Sequence, residues 1–298
     1  MEYLRTLTRE FDVGERATLD IENRSGTIGV RGEETRQARI EVLARIWAES
    51  DDEADDQFEL VARGIRQEDS RIIVRAPALL RPSGFLGLLT RGPRIDYQLT
   101  VPRESSGQLA QHSGPIEVTG VAGPLQIEAR SGRVTVSQIG ADTTIASRSG
   151  TVQAERIAGA LVIDSRSGGV RVRGCKGSLS IESRSGSLQI EDVGGDTRLV
   201  SRSGSVSIAD VGGALTLHTR SGAVRYAGGV HGAFDIDVTS GSVQLAFEPN
   251  SVFFLDAETH SGTVRSEFSL KKDGSAPSDH GPTVRIRTHS GSIHIVPR

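Results

Sequence analysis

Six arginines recur at one spacing: Arg130, Arg148, Arg166, Arg184, Arg202 and Arg220 each stand two residues before a glycine, 18 residues from the next copy. Arg24 holds the same place before Gly26, and His112, His260 and His289 replace the arginine in other copies. Guanidinium forks suit carboxylate and phosphate. Stacked in a column, they would hold a polyanion: an acidic polysaccharide, a teichoic-type polymer or a nucleic-acid backbone. The plainer and commoner role is a solvated corner residue that keeps an outer edge soluble. Two facts favour that role: the formal net charge is -3, and no aromatic side chains interleave with the arginines as single-strand binding requires. Like charges on neighbouring strands repel. Glu128, Asp164 and Glu182, each two residues before an arginine, would offset this in three copies, whereas Ala146, Val200 and His218 leave Arg148, Arg202 and Arg220 under-compensated.

Other reactive residue types give less. The serine before each repeat glycine lacks the Gly-x-Ser-x-Gly context of a nucleophile and is expected to turn inward, bonding backbone of its own turn. Cys175 falls in a column otherwise filled by Val121, Ile139, Ile157, Val193 and Val211, which reads as core rather than reactive thiol. His260 and His289 become neighbours only if the last coils stack without a break, and two histidines without a third ligand are a weak metal signal. Asp51, Asp52, Glu53, Asp55 and Asp56 lack EF-hand spacing and fit the first turns of a helix, where the dipole favours negative charge. Asp192 and Asp210 recur at one corner, which points to turn chemistry. Polysaccharide lyases and hydrolases built on solenoids use outward acidic clusters that are not found here. The reading is a non-enzyme with no catalytic, cofactor-binding or metal-binding residue and no cofactor.

What would position the arginines is the repeat itself. Ser-Gly recurs at Ser113, Ser131, Ser149, Ser167, Ser185, Ser203 and Ser221, then at wider intervals at Ser240, Ser261 and Ser290, with an early copy at Ser25. Apolar residues keep fixed offsets from the glycine, as Val206, Ile208, Val211, Leu215 and Leu217 do after Gly204. Period-2 alternation of this kind is strand, not helix. Each unit holds two strands and two turns, and equal unit lengths with equal inward offsets favour stacked coils over an antiparallel meander. The expected fold is all-β: a single-stranded parallel β-helix, or β-solenoid, of about 18 residues per coil, right-handed by the crossover rule.

Leu19, Ile21, Ile28 and Val30 match the inward columns, so the chain lays down one coil and then leaves its rhythm until Gln108. Strands are expected at Ala38–Trp47, Arg71–Ala76 and Arg94–Val101, and a capping helix at Ser50–Arg63 with Ser50 and Glu53 as a capping box. The domain reading is an N-terminal segment, 1–108, and a repeat solenoid, 109–298, forming one body or two. Leu79–Thr90 is a Gly/Pro-punctuated apolar loop whose Phe85, Leu86, Leu88 and Leu89 fold back or form a contact patch. The C-terminal strand, blunted only by Pro297 and Arg298, would allow homo-oligomers through an open edge. One cysteine excludes a disulfide-stapled scaffold. With no signal peptide, anchor or transmembrane stretch visible, the chain as given reads as cytoplasmic, or as surface- or membrane-associated if it is a fragment.

Asp20-Ile21-Glu22-Asn23-Arg24-Ser25-Gly26, Tyr97-Gln98-Leu99-Thr100-Val101-Pro102 and the following Ser-Gly-x-Val/Ile/Leu units resemble the bacterial putative adhesin family, a domain of unknown function. The likeness covers nearly the whole chain. It implies a β-helical, non-catalytic domain, often exported or membrane-tethered; the expected function is that of a non-enzymatic binding or structural protein presenting a repetitive rigid surface. Bactofilins are similar in architecture alone, and they illustrate the alternative of a self-assembling cytoplasmic scaffold. A carbohydrate-active enzyme is the remaining alternative.

Overall fold

The computed structural model describes residues 1–76, 92–249, 251–268 and 281–298. The apolar loop containing Phe85, Leu86, Leu88 and Leu89 lies outside the described residues. The chain forms two compact units, 1–146 and 147–298. The sequence-based division at 108 marks where the rhythm begins, which is a different criterion.

The first unit opens with β1 (Glu2–Asp12), β2 (Thr18–Ser25), β3 (Ile28–Glu33) and β4 (Gln37–Trp47), followed by the helix α1 (Asp51–Arg63). It continues through β5 (Ile65–Glu68), β6 (Arg71–Arg75), β7 (Arg94–Pro102), β8 (Ser106–Ser113), β9 (Ile116–Thr119), β10 (Leu125–Ser131) and β11 (Val134–Ile139). β12 (Thr143–Ser149) carries the chain across the division. The coil made by β2 and β3 is flanked on both sides: β6 and β7 run parallel to it on one side, and β8 and β9 do so on the other. Residues without the repeat rhythm therefore still build a coil. Beyond them β4 pairs antiparallel with β7, β1 antiparallel with β4, and β5 antiparallel with β6. Neither β1 nor β5 is evident from the sequence, since β1 buries neither face and β5 has only four residues.

The helix begins as its residues dictate. Ser50 Oγ accepts the Glu53 amide at 3.2 Å, and the Glu53 carboxylate reaches back to the Glu49 amide at 2.8 Å. Ala54 and Val61 are its buried residues, and Arg5 of β1 binds Asp51 at 2.7 Å and Asp55 at 2.6 Å. The acidic cluster thus fastens the helix to β1, and these hydrogen bonds raise the already high pKa of Arg5.

The second unit is more regular. Its strands are β13 (Val152–Ile157), β14 (Leu161–Ser167), β15 (Val170–Cys175), β16 (Leu179–Ser185), β17 (Leu188–Val193), β18 (Thr197–Ser203), β19 (Val206–Val211) and β20 (Leu215–Ser221). Then come β21 (Val224–Gly228), β22 (Phe234–Ser240), β23 (Val243–Phe247), β24 (Phe254–Ser261), β25 (Val264–Ser266), β26 (Thr283–Ser290) and β27 (Ile293–Pro297). They form two parallel ladders, in the order β13-β15-β17-β19-β21-β23-β27-β25 and β14-β16-β18-β20-β22-β26-β24. Like stacks on like: Ile163, Ile181, Leu199, Leu217, Ile236 and Ile286 form one buried column. Towards the last coils the column filling changes to aromatic, with ring centroids 4.9 Å apart for both Tyr226–Phe234 and Phe247–Phe253.

The coil order departs from chain order at the C-terminus. The last coil, β26 and β27, inserts between β22/β23 and β24/β25. The expectation that the C-terminal strand forms the open edge is therefore wrong; the edge belongs to β24 and β25. Val284, Ile286, Ile293 and Ile295 of this inserted coil are fully buried, whereas Val264, which continues the Ile293 column into the edge strand, is exposed.

Candidate functional site

The Ser-Gly corner sets the site. At each copy the glycine takes positive φ, as Gly168 does at 121°, and at most copies its amide donates to the serine carbonyl of the adjoining coil, as from Gly168 to Ser185 at 3.2 Å. The serine does not turn inward as expected. It is half-exposed or exposed, and its hydroxyl donates to the arginine carbonyl of the preceding coil: Ser167 to Arg148 at 3.2 Å, Ser203 to Arg184 at 3.3 Å and Ser221 to Arg202 at 3.4 Å. The hydroxyl that does point inward is two residues earlier. Ser147, Ser165, Ser183, Ser201 and Thr219 are buried, and no hydrogen-bond partner reaches their hydroxyls among the described residues. Period-2 alternation counted back from the glycine would have found this column. Its small polar residues do not stand out in a hydrophobicity pattern.

With inward and outward positions fixed, the arginines stand outside. Bridges on either side of each, such as Ser183 to Ser201 and Ser185 to Ser203, place Arg166, Arg184, Arg202 and Arg220 side by side. Spacing along the column is that of neighbouring strands, about 4.8 Å. Two residues earlier on the same face runs a second column of Asp164, Glu182, Val200, His218 and Asp237. Asp237 escapes the 18-residue count because its coil is one residue longer. Between the columns lies an open groove of about 460 Å³, lined among others by Glu182, Arg184, Arg202, His218, Arg220 and Asp237.

Some arginines of the unit take carboxylate partners across the ladder, Arg173 with Glu191 at 2.8 Å, Arg285 with Asp256 at 3.2 Å and Arg287 with Glu258 at 3.7 Å, whereas Arg198, Arg225 and Arg265 have none among the described residues. Among the described residues, Arg148, Arg166, Arg184, Arg202 and Arg220 have no carboxylate within ion-pair distance. Asp164 and Glu182 were expected to neutralise Arg166 and Arg184, but they remain in their own column. In the first unit Arg130 lies 3.4 Å from His112.

The column ends in histidine. His260 and His289 stack face to face with centroids 4.8 Å apart, so the last coils do stack without a break. Among the described residues no group of three or more potential metal ligands forms. Cys175 sits in the core between Ile157 and Val193, and burial pushes its thiol pKa up. Asp192 and Asp210 adopt φ of 58° and 54°, the left-handed turn geometry that aspartate tolerates. Burial also raises two tyrosines. Tyr97 has a buried hydroxyl without a partner among the described residues, and Tyr226 is pushed up to about 12 while its hydroxyl donates to the Gly229 carbonyl at 2.5 Å.

Repeated two-strand coils, parallel ladders in register and a like-on-like core define a β-solenoid. The family described as Toastrack DUF4097 matches residues 17–199 and 179–296, and the chain belongs to that family. No curated protein matches it. A putative adhesin from Parabacteroides distasonis is 10% identical, with a TM-score of 0.38, over 98% of this chain and 97% of that one. A putative adhesin from Bacteroides fragilis is 12% identical with a TM-score of 0.37 over the same shares. A putative cell adhesion protein from Clostridium sporogenes is 11% identical with a TM-score of 0.31, and both chains are covered in full. No helix among the described residues is long and apolar enough to cross a membrane.

Proposed function

We propose that this chain is a non-enzymatic binding protein whose second unit holds an acidic polymer along the arginine column. The observation that carries this is the run of five arginines stacked on successive coils at one corner, none of which has a carboxylate partner among the described residues. Aligned guanidinium groups repel one another, and a polymer with regularly spaced anions relieves that repulsion while making charge-assisted hydrogen bonds. The test is binding of a panel of polyanions to the full chain, compared with a variant carrying Arg184→Thr and Arg202→Thr. Threonine is chosen because Thr239 already takes the arginine's place in its own coil. Binding should weaken at least tenfold and fall with added salt. Binding indifferent to both substitutions would remove the arginine column from the function.

A second reading is end-to-end assembly. It rests on the edge at β24 and β25, where Val252, Phe254 and Val264 are 54%, 44% and 39% exposed. Light scattering over a concentration series tests it, and a monomer at high concentration would count against it.

A further inference from the structure

We propose that the polymer is a carboxylated glycan, a chain of uronate sugars laid across the coils with one sugar per coil; this rests on the polyanion reading above. The argument comes from the second column. Along the groove the arginines face a row that carries Asp164 and Glu182 at one end, Val200 and His218 in the middle, and Asp237 at the other end. A ligand filling the groove must therefore present two different edges. One edge must be anionic, towards the guanidinium groups. The other must donate hydrogen bonds, because ionised carboxylates only accept them.

Polyphosphate and the phosphodiester backbone of nucleic acid lack such an edge. Polyphosphate carries acceptor oxygens all round and would set them against Asp164, Glu182 and Asp237. A nucleic-acid strand would need stacking partners for its bases, and among the residues lining the groove His218 is the one ring. A uronate sugar matches both rows. Its single carboxylate suits the fork of an arginine, and its ring hydroxyls are donors for the acidic side chains. The apolar face of the ring can lie on Val200, which is part of the groove lining. The spacing also agrees. A 1,4-linked pyranose chain advances by about the length of one sugar ring per residue, close to the strand repeat of about 4.8 Å. Neighbouring sugars of such an extended chain are turned by about half a turn, so carboxylates on one side recur at every second sugar and would meet alternate arginines. The acidic residues flanking the cationic column, which weaken the case for a general polyanion site, become the feature that selects among polyanions.

The experiment uses the folded full chain and size-fractionated oligogalacturonates, their methyl esters, and polyphosphate of equal charge, read by calorimetry or interferometry. Affinity for the oligogalacturonate should rise with length and level off once it spans the five coils from Arg148 to Arg220. Methyl esterification should weaken binding at least tenfold, and polyphosphate should bind at least tenfold more weakly. Glu182→Gln combined with Asp237→Asn should narrow that gap by strengthening the polyphosphate complex. If polyphosphate binds as tightly as the uronate, and both depend on Arg184 and Arg202, the glycan assignment is overturned while the polyanion reading stands. If no probe responds to the arginine substitutions, both are overturned.

Discussion

Gly168 and Gly169 are adjacent in sequence, and the structure assigns them opposite responses to the same substitution. Gly168 has a φ of 121°, and a methyl group there would press into the Gly150 carbonyl of the preceding coil, with the carbonyl carbon only 2.7 Å away. Gly169 has ordinary backbone geometry, and its nearest obstacle is Ser187 Oγ at 3.4 Å. Ala223 already occupies the equivalent corner position in a later coil. For Gly168→Ala, left-handed strain costs about 1–3 kcal/mol, and displacing packed backbone adds about 1–3 kcal/mol. The sum, about 4 kcal/mol, is a large part of a typical domain's total stability. Gly169→Ala should instead stabilise by about 0.4–1 kcal/mol by restricting the unfolded chain. Urea unfolding followed by circular dichroism measures both. At a slope of roughly 3 kcal/mol/M the first variant should lower the midpoint by more than about 1 M. Coils contact only their neighbours, so hydrogen exchange should accelerate first in β13 to β16. A Gly168→Ala variant within about 1 kcal/mol of the parent would refute the close stacking of the corners. So would equal losses at both positions.

Three further outcomes follow from buried or paired groups. Thr219→Val removes a buried hydroxyl without a partner from a column where Val238 is the next residue, and should raise stability by about 1 kcal/mol in a thermal melt; a loss of that size would mean the hydroxyl is bonded. Asp20 accepts hydrogen bonds from Arg75 at 2.6 Å and Arg71 at 2.5 Å, and Arg75 foremost holds its carboxyl below the usual range. Its contribution is present above the unfolded-state value of about 3.9 and fades as pH falls through the lower folded value; Asp20→Asn should flatten stability against pH in the acid limb, and an unchanged acid limb would contradict the pairing. Cys175 should resist alkylation in the native protein at neutral pH and react on unfolding, while Cys175→Val should change stability by less than about 1.5 kcal/mol; rapid native labelling would contradict its burial.

The repeat made one dimension of this protein legible. Strand alternation about each Ser-Gly fixed which residues face in and which face out, so the aliphatic columns, the core position of Cys175 and the outward arginines could all be read before any coordinates. The helix at Ser50 was legible for a local reason, because its cap lies within four residues. Contacts between coils were not. The sequence offers several coils of similar pattern, and which one lies beside which is a competition for edges settled by total burial. Thus β26 and β27 enter ahead of β24 and β25, and β6 and β7 flank a coil laid down well before them. The serine hydroxyls choose a carbonyl on the neighbouring coil over their own turn because stacking brings that oxygen within 3.2–3.4 Å. The same holds for the site. Sequence alone put a carboxylate two residues from Arg166 and from Arg184, but alternation in a strand sets such residues side by side on one face with separate columns, and only the folded ladder leaves the arginines unpaired.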